Sequence, residues 1–490
     1  MRQLLTESVL LAVFGGFAGL LLAVWSNGLL FPVFRLDAMY LPLRQLDSIS
    51  IDGRVFAFAL LVSCLTGLLF GLAPALGTLR GDVNEPLKEG GRGSTEGGGS
   101  RLRYILVASE VALALVVLCG AGLMIESVSR LLGVDPGLNP KNVLTMQMAL
   151  PQEDLYNGPP DLPRFCRELE EHVSAIPGVT SASAVGHLPF EGNAGRGFQI
   201  EGQPPADPEH MPNANYSVAY PNYFRTMGVD VLKGREFSHQ NTVSAPGVIV
   251  INETMARRFW PKQDPIGRRI RLGGSDGPPL AVVGVVRDVH HWGLDEGVRP
   301  QFFRPYTQAA WPIMNVVVRT INAPATFTAP VKKALADILP DRPVSNVETM
   351  EEIVRDSTGS RRFPMFFLST FALLALALAA VGIVGVVSYS VALRTHEIGI
   401  RTALGARTAD VLSLIVKGSM AWVIGGIALG LAGSIGLTRL LGNLLYGVRP
   451  ADPLVLGTVS LVLACVALLA SYIPVRRATQ VDPMIALRYE

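Results

Sequence analysis

The chain has 490 residues, 49% of them apolar and only 17% charged, where a typical soluble domain carries about 25% charge. A mean hydropathy of +0.36 argues against an ordinary cytosolic enzyme, and four cysteines in so long a chain exclude a disulfide scaffold. Forty-two basic and 40 acidic residues leave a formal charge of +2, too weak a field to make nucleic acid a partner.

In chain order, six stretches are long enough to cross a hydrocarbon core, which takes about 20 helical residues: 8–34, 55–76, 104–126, 363–393, 419–441 and 454–474. The second and fourth contain no charged residue at all, which a buried helix of a soluble protein rarely sustains. The first follows Arg2 and Glu7 and has no small-residue cleavage site before Trp25, so it reads as a span and not a removable leader. Basic residues in the short flanks set the orientation. Arg80, Lys88, Arg92, Arg101 and Arg103 follow the second span, Arg394, Arg401 and Arg407 follow the fourth, and Arg476, Arg477 and Arg488 lie in the tail. These three groups belong on the cytoplasmic side, although Arg35, Arg44 and Arg54 in an outer loop support this poorly. Six spans then place both termini in the cytoplasm and residues 127–362 outside it, with the lipid bilayer as the first partner.

Between the second and third spans, 89–100 holds six glycines and reads as a flexible linker. The insert 127–362 has ordinary composition and alternates β runs with short helices. Strands are expected at 143–150, 179–185, 247–251, 280–286 and 315–319, and helices at 162–175, 253–260 and 329–339. The fold class expected is a polytopic α-helical membrane protein of about six transmembrane helices with one large extracytoplasmic α+β domain. Cys64, Cys119 and Cys465 sit in apolar runs. Cys166 stands in polar surroundings, so it is the thiol expected to meet a water-soluble reagent.

The chain also repeats itself. At an offset of 410, Leu4, Gly15, Gly16, Ala18 and Leu21 meet Leu414, Gly425, Gly426, Ala428 and Leu431. At an offset of 400, Pro74, Asp82, Leu87 and Lys88 meet Pro474, Asp482, Leu487 and Arg488. The second copy has one span, an outer domain and three spans, whereas the first has only its last two spans.

A span entered through Arg101-Leu-Arg and an outer α+β domain come first; Arg394-Thr-His-Glu-Ile-Gly-Ile-Arg-Thr-Ala-Leu-Gly-Ala406 and a closing Asp482-Pro-Met-Ile-Ala-Leu-Arg488 follow. Together these resemble the MacB/FtsX-type ABC permeases, and the duplication is most similar to the duplicated orphan permease subgroup, here N-terminally incomplete. The resemblance implies five regions. Residues 1–80 would be the last two helices of a first FtsX-like unit, 81–103 a cytoplasmic Gly-rich linker, and 104–126 the first helix of the second unit. Residues 127–362 would be a MacB-like periplasmic core domain, and 363–490 an FtsX-like three-helix permease domain with a cytoplasmic coupling segment at 394–406. It further implies a bacterial inner-membrane location and a separate cytoplasmic ABC ATPase as partner, with a periplasmic adaptor or a second permease copy as candidates for a further one. The task implied is efflux, or motion transmitted to the outer domain. Alternatives from other classes are an FtsX-like regulator of an extracytoplasmic enzyme without transport, and a non-functional fragment of a longer permease.

Physics adds to the 394–406 segment independently of its family. It follows an uncharged span, sets His396, Glu397 and Arg401 at a membrane surface, and spaces Ile398, Thr402 and Ala406 on one helical face. Gly399 and Gly405 allow close approach, and Leu404 belongs to the same string, so His396, Glu397, Ile398, Gly399, Arg401, Leu404 and Gly405 are the coupling residues expected. No GxxxxGK[ST] loop occurs, and Lys417-Gly-Ser419 lacks the preceding glycine, so no nucleotide cofactor and no enzymatic activity are expected. His396-Glu397 has Ile400 where a zinc protease needs a second histidine. Asp288, His290 and His291 could ligate a metal, but in a strand neighbouring histidines point to opposite faces, so no metal is expected. Glu110, about six residues inside the third span, is expected to reach the membrane interface. Gly15, Gly16, Gly425 and Gly426 suit close helix packing, with Gly19 and Gly430 one turn on. In the insert, Pro221-Asn-Tyr-Phe-Arg-Thr-Met-Gly228 reads as a turn capping a short helix, and a second short helix is N-capped by Asn252.

Overall fold

The computed structural model describes residues 6, 9–10, 12–21, 53–79, 97–149, 162–204, 211–273, 277–309, 311–338, 342–393, 408–440, 445–449 and 451–478. These fall into two compact units, 1–130 with 360–490, and 131–359.

The first unit is helical. After a short apolar helix α1 (Ala12–Leu21) come α2 (Gly53–Leu79) and α3 (Gly97–Leu132). Among the described residues four helices are long and apolar enough to cross a membrane: Arg103–Leu132, Pro364–Ala392, Val416–Thr438 and Pro453–Arg476. Their outward faces carry Leu373, Val381, Leu454 and Leu469, each more than 60% exposed. Apolar surface of that extent calls for lipid and not water. The glycine linker is shorter than its composition suggests, because α3 already includes Gly97, Gly98, Gly99 and Ser100. Each glycine costs about 1 kcal/mol in a helix interior, but extending a nucleated helix adds one backbone bond per residue.

The second unit divides into two β architectures. The first has β1 (Val143–Ala149), α4 (Leu162–Ser174) and β2 (Val179–Val185). It is completed far downstream by β10 (Ile313–Thr320), α7 (Thr328–Ile338) and β11 (Val344–Thr349). The strand order β11-β1-β10-β2 is antiparallel throughout, the arrangement of a split βαβ sheet. Val316, Val318, Met146 and Met148 pack there with Leu169 and Val173 of α4 and Val331 and Leu335 of α7. Burying a side chain such as Leu169 contributes about 2 kcal/mol.

Between β2 and β10 the chain builds a closed ring. It comprises β3 (Ala194–Ile200), β4 (Asn213–Ala219), β6 (Val248–Asn252), β7 (Arg269–Leu272), β8 (Pro279–Val286) and β9 (Gln301–Pro305). The pairings run β4-β3-β7-β8-β6-β9 and return to β4 through a parallel β4–β9 ladder. Phe198, Tyr216 and Phe302 fill it, with Phe302 5.3 Å from Tyr216 and 6.3 Å from Phe198 between ring centres. A single bridge, Val185 to Ala219, joins ring and sheet, and β5 (Val231–Gly234) hangs from β8. Closure removes open edges from six strands that would otherwise invite pairing with other chains.

Two short helices, α5 (Tyr223–Met227) and α6 (Glu253–Phe259), take the expected places. Gly228 ends α5 at φ 66°, a conformation glycine adopts at little cost. Asn252 caps α6 by accepting from the Met255 N–H, and the same oxygen accepts from Gln301 N–H at 2.9 Å. Cys166 corrects the expectation drawn from its neighbours. It is 1% exposed, because 166, 169 and 173 form the inward stripe of α4, and burial pushes its thiol well up. Helix α8 (Met350–Asp356) opens with a capping box of Thr349 and Glu352, and α9 (Gly359–Leu393), α10 (Thr408–Leu440) and α11 (Pro453–Ala478) return to the first unit. Helices α2 and α11 begin 400 residues apart, at Gly53 and Pro453, and each carries its repeat proline near its end.

Candidate functional site

Helix α3 is the axis of the helical unit. Its span is 56% buried inside the protein, whereas the other three spans are 22% to 28% buried. Small residues make this possible. A Cβ on Gly426 of α10 would lie 2.6 Å from the Ala108 carbonyl oxygen and 3.0 Å from Val111, and one on Gly430 would lie 2.8 Å from the Ala112 carbonyl oxygen. On the other sides, Gly120 of α3 faces Leu368 of α9, and Gly122 faces Val455 of α11. Between them Val111, Leu115, Cys119, Ile383, Val387, Val423, Leu463 and Ala467 form one buried cluster. Lipid tails are as apolar as leucine, so close backbone approach and dispersion hold such helices together.

Of the four glycines expected to pack, Gly426 does so against α3, and Gly16 faces Ser63 of α2, whose Oγ would lie 2.9 Å from an added Cβ. Gly15 and Gly425 meet nothing within 4 Å among the described residues. Successive helical residues are about 100° apart, so one glycine of each pair turns away. Gly19 also faces open space, while Gly430 packs.

Polar latches fasten α3 at both ends. At one end Tyr104 stacks on Trp422 of α10 with ring centres 5.7 Å apart and planes 10° from parallel. Its Oη lies 2.9 Å from Ser390 Oγ of α9, and the Arg103 guanidinium sits 3.9 Å from the centre of the Tyr389 ring. At the other end Arg130 pairs with Glu126 at 2.7 Å and with Asp452 at 3.5 Å and donates to the Gly447 carbonyl. Nearby, Ser127 Oγ accepts from Tyr446 N–H at 2.8 Å. Aromatic and basic residues at both ends of an apolar stretch signal this in principle; Tyr104, Trp422, Arg130 and Asp452 carry no motif that singles them out.

The first latch grips the two helices that flank 394–406, since α9 ends at Leu393 and α10 begins at Thr408. The coupling residues His396, Glu397, Ile398, Gly399, Arg401, Leu404 and Gly405 lie outside the described residues. Glu110 follows a different path from the one its position suggests. Its carboxylate occupies the notch left by Gly382 of α9, where a Cβ would collide with it.

In the second unit the three metal-like residues are drawn apart. They lie beyond the end of β8 at Val286, not within a strand. Asp288 accepts from Thr254 N–H and Oγ1–H at 2.8 and 2.6 Å and pairs with Arg257 at 2.9 Å. The imidazole of His290 faces the Gly293 and Glu296 carbonyls. His291 is buried, and burial with His187 nearby lowers its pKa to about 3. Arg319 is a hub, donating to the carbonyls of Thr226, Lys141 and Asn139 at 2.8 to 2.9 Å.

The sequence profile of the MacB-like periplasmic core domain matches residues 113–338, and that of the FtsX-like permease C-terminal region matches 369–483. Among curated relatives, the macrolide export ATP-binding/permease protein MacB of Mannheimia succiniciproducens is 25% identical over 55% of this chain and 42% of its own length. The corresponding proteins of Hahella chejuensis and Agrobacterium fabrum are 27% and 26% identical, over 57% and 63% of this chain and 43% and 53% of their own. The chain therefore spans about half or less of these relatives. The periplasmic region of MacB from Actinobacillus actinomycetemcomitans aligns with 45% of this chain and 93% of its own, at 14% identity and a TM-score of 0.31. For the extracellular domain of the noncanonic ABC-type transporter YknZ from Gram-positive bacteria the figures are 41%, 100%, 17% and 0.28.

Proposed function

The chain belongs to the MacB/FtsX-type ABC permeases, inner-membrane proteins with a periplasmic domain, and from that premise we propose that it couples a separate cytoplasmic ATPase to motion of its extracytoplasmic unit. One observation carries this reading. Helix α3, which precedes the extracytoplasmic unit in the chain, is latched through Tyr104 to both helices that flank 394–406. A push on that segment reaches α3 through two contacts at once, and α3 is the most enclosed of the four spans among the described residues. The segment itself docks in a groove of the ATPase through His396, Glu397, Ile398, Gly399, Arg401, Leu404 and Gly405. Six spans, with α1 and α2 as the end of a first permease copy, put both termini in the cytoplasm. The output is export or mechanical signalling, with a periplasmic adaptor or a second permease copy as further partners.

The test uses the chain with its cognate ATPase in proteoliposomes. Glu397→Lys reverses a charge at the docking surface, removing attraction and adding repulsion, and Gly399→Trp blocks close approach. Both are expected to abolish stimulation of the ATPase by the permease and partner pulldown while leaving membrane insertion unchanged. Arg401→Ala is expected to be milder, since it removes a contact without adding a clash. Wild-type stimulation and pulldown in both Glu397→Lys and Gly399→Trp would reduce the segment to an interfacial anchor.

A further inference from the structure

A cleft of about 450 Å³ opens on the ring of the extracytoplasmic unit, within the 300–1,000 Å³ range usual for small-ligand sites. It is lined by Asn193 just before β3, Asn213 and Asn215 of β4, Arg258 of α6, and Trp292 and Arg299 from the β8–β9 connection. No carboxylate lines it.

Several of these groups lack the partners that purely structural residues acquire. The Asn215 backbone N–H is used, donating to Pro300 O at 2.8 Å, but its side-chain amide makes no hydrogen bond among the described residues. The Asn193 Oδ1 accepts from Ala194 N–H at 2.9 Å, and its Nδ2 is shut away from water without a partner. An orphaned buried amide costs about 1–3 kcal/mol. Arg258 is exposed and has no acidic partner among the described residues; its guanidinium lies 5.6 Å from the centre of the Phe259 ring. Arg299 is held ready. Glu296 pairs with it at 2.7 Å, and its guanidinium rests 4.9 Å from the Trp292 ring centre. Trp292 stays 43% exposed, seated over Gly192, where an added Cβ would come within 3.2 Å of the indole. An indole left in water and used as a rest for a cation favours a binding role over a packing one.

The donors fix the ligand's chemistry. Arg258 and Arg299 share one carboxylate, that of Glu296 on Arg299, so an excess of positive charge remains that asks for an anion, and carboxylate and phosphate both fit the guanidinium fork. Amides both donate and accept, which matches hydroxyl groups that also do both. We propose that the cleft binds a small, hydroxyl-rich anion of the class of uronic acids and sugar phosphates. This goes beyond the coupling reading and does not depend on it, since binding needs neither nucleotide nor ATPase.

Calorimetry on the full chain in detergent, with glucuronate, glucose 6-phosphate, inorganic phosphate and uncharged glucose as probes, tests the assignment. The expected result is one saturable site for glucuronate or glucose 6-phosphate, with glucose and inorganic phosphate each at least about tenfold weaker. The preferred acid tells carboxylate from phosphate recognition. Arg258→Ala and Arg299→Ala should each weaken that binding at least about tenfold at unchanged melting temperature, whereas Lys262→Ala, which removes the same charge from the exposed surface elsewhere, should not. The assignment is overturned if neither acid saturates below about 10 mM. It is also overturned if glucose or inorganic phosphate binds as tightly as the sugar acids, if Arg258→Ala and Arg299→Ala bind like wild type, or if Lys262→Ala is equally weakened.

Discussion

The helical unit and the extracytoplasmic unit solve the same packing problem with opposite materials. Around α3 the helices meet at Gly120, Gly122, Gly426 and Gly430, backbone against backbone, and polar groups appear chiefly at the ends. In the extracytoplasmic unit the centre is aromatic, with Phe198, Tyr216, Tyr220, Phe302 and Tyr306 all but sealed from solvent, and polar hubs such as Arg319 stitch its loops. The contrast follows from the two solvents. In water, large apolar side chains gain by burial; in lipid they gain little, so contact area between backbones and the few interhelical hydrogen bonds decide. A unit held by notches and end latches can shift as rods while its contacts persist, whereas an interlocked aromatic core moves as one piece. That is the pairing the proposed transmission of motion requires.

The sharpest way to break this contrast is to fill a notch. Gly430→Leu places a side chain against the Ala112 carbonyl and against Leu115, where the terminal methyl of Leu115 can yield but its Cβ and the carbonyl are fixed to backbone. Overpacking costs about 1–3 kcal/mol where side chains can yield, and here backbone must move. Loss of the α3–α10 contact is expected, read as failure of a disulfide between cysteines introduced on the two helices. Gly425→Leu, one residue from the packed Gly426 but facing open space, should leave that crosslink intact.

The second effect belongs to the extracytoplasmic unit and depends on pH. Burial, with Glu348 nearby, raises the Glu191 carboxyl from 4.5 to about 7. Between those values the folded chain holds a proton that the unfolded chain has released, so stability contributed by this group declines as pH rises through the window. Glu191→Gln should therefore gain on wild type by on the order of 3 kcal/mol between pH 4.5 and 7.5, and no further above that. His291 titrates in the opposite sense: neutral when folded, it loses stability as pH falls below 6.5. Comparing the variant with wild type isolates Glu191. A difference that stays flat with pH would show that this carboxyl titrates normally.

A third, smaller effect tests the hub. Arg319→Ala leaves the Thr226, Lys141 and Asn139 carbonyls without their donor, and because the site is only part-buried, water recovers some of the loss. A destabilisation of about 2 kcal/mol is expected in urea unfolding of the full chain followed by proteolysis of the extracytoplasmic unit. The α3–α10 crosslink should be untouched. Arg319→Lys should recover little, because one ammonium cannot span three carbonyls as a fork does.

How much of this the sequence discloses differs between the units for the same physical reason. Long uncharged runs such as 363–393 mark the spans directly, and the strand 179–185 and the cap at Asn252 are legible because alternation and capping are local. The ring is not, since β3, β4, β7 and β9 are short and interrupted by Gly, Asn and Arg, and they are strands only because neighbours distant in sequence pair with them. Cys166 misleads for a related reason. Its polar neighbours Arg164, Arg167 and Glu168 lie on other faces of α4, and the stripe through Leu169 and Val173 sets its environment. In the candidate site the Glu-Ile-Gly-Ile-Arg string is visible in one dimension. The latch that ties its flanking helices to α3 joins Tyr104 to Ser390, 286 residues away, and no local pattern announces such a pair.

The smallest expected effect is the most informative about coupling, because it separates the two parts of that latch. Tyr104→Phe keeps the stack on Trp422 and deletes only the hydrogen bond to Ser390. Interhelical hydrogen bonds in membranes average about 0.6 kcal/mol, so folding and insertion should barely change. Ser390→Ala should cost about the same. The double variant should cost no more than either single one, since all three lack the same bond and double-mutant cycles report shared interactions as non-additivity. Transmission should respond differently. If force enters α3 from α9 through this bond, both single variants lower permease-stimulated ATPase turnover while Trp422→Phe, which keeps an aromatic stack, does not. Full stimulation in Tyr104→Phe with loss in Trp422→Ala would move the route to α10, making the stack the working part of the latch and the hydrogen bond its alignment.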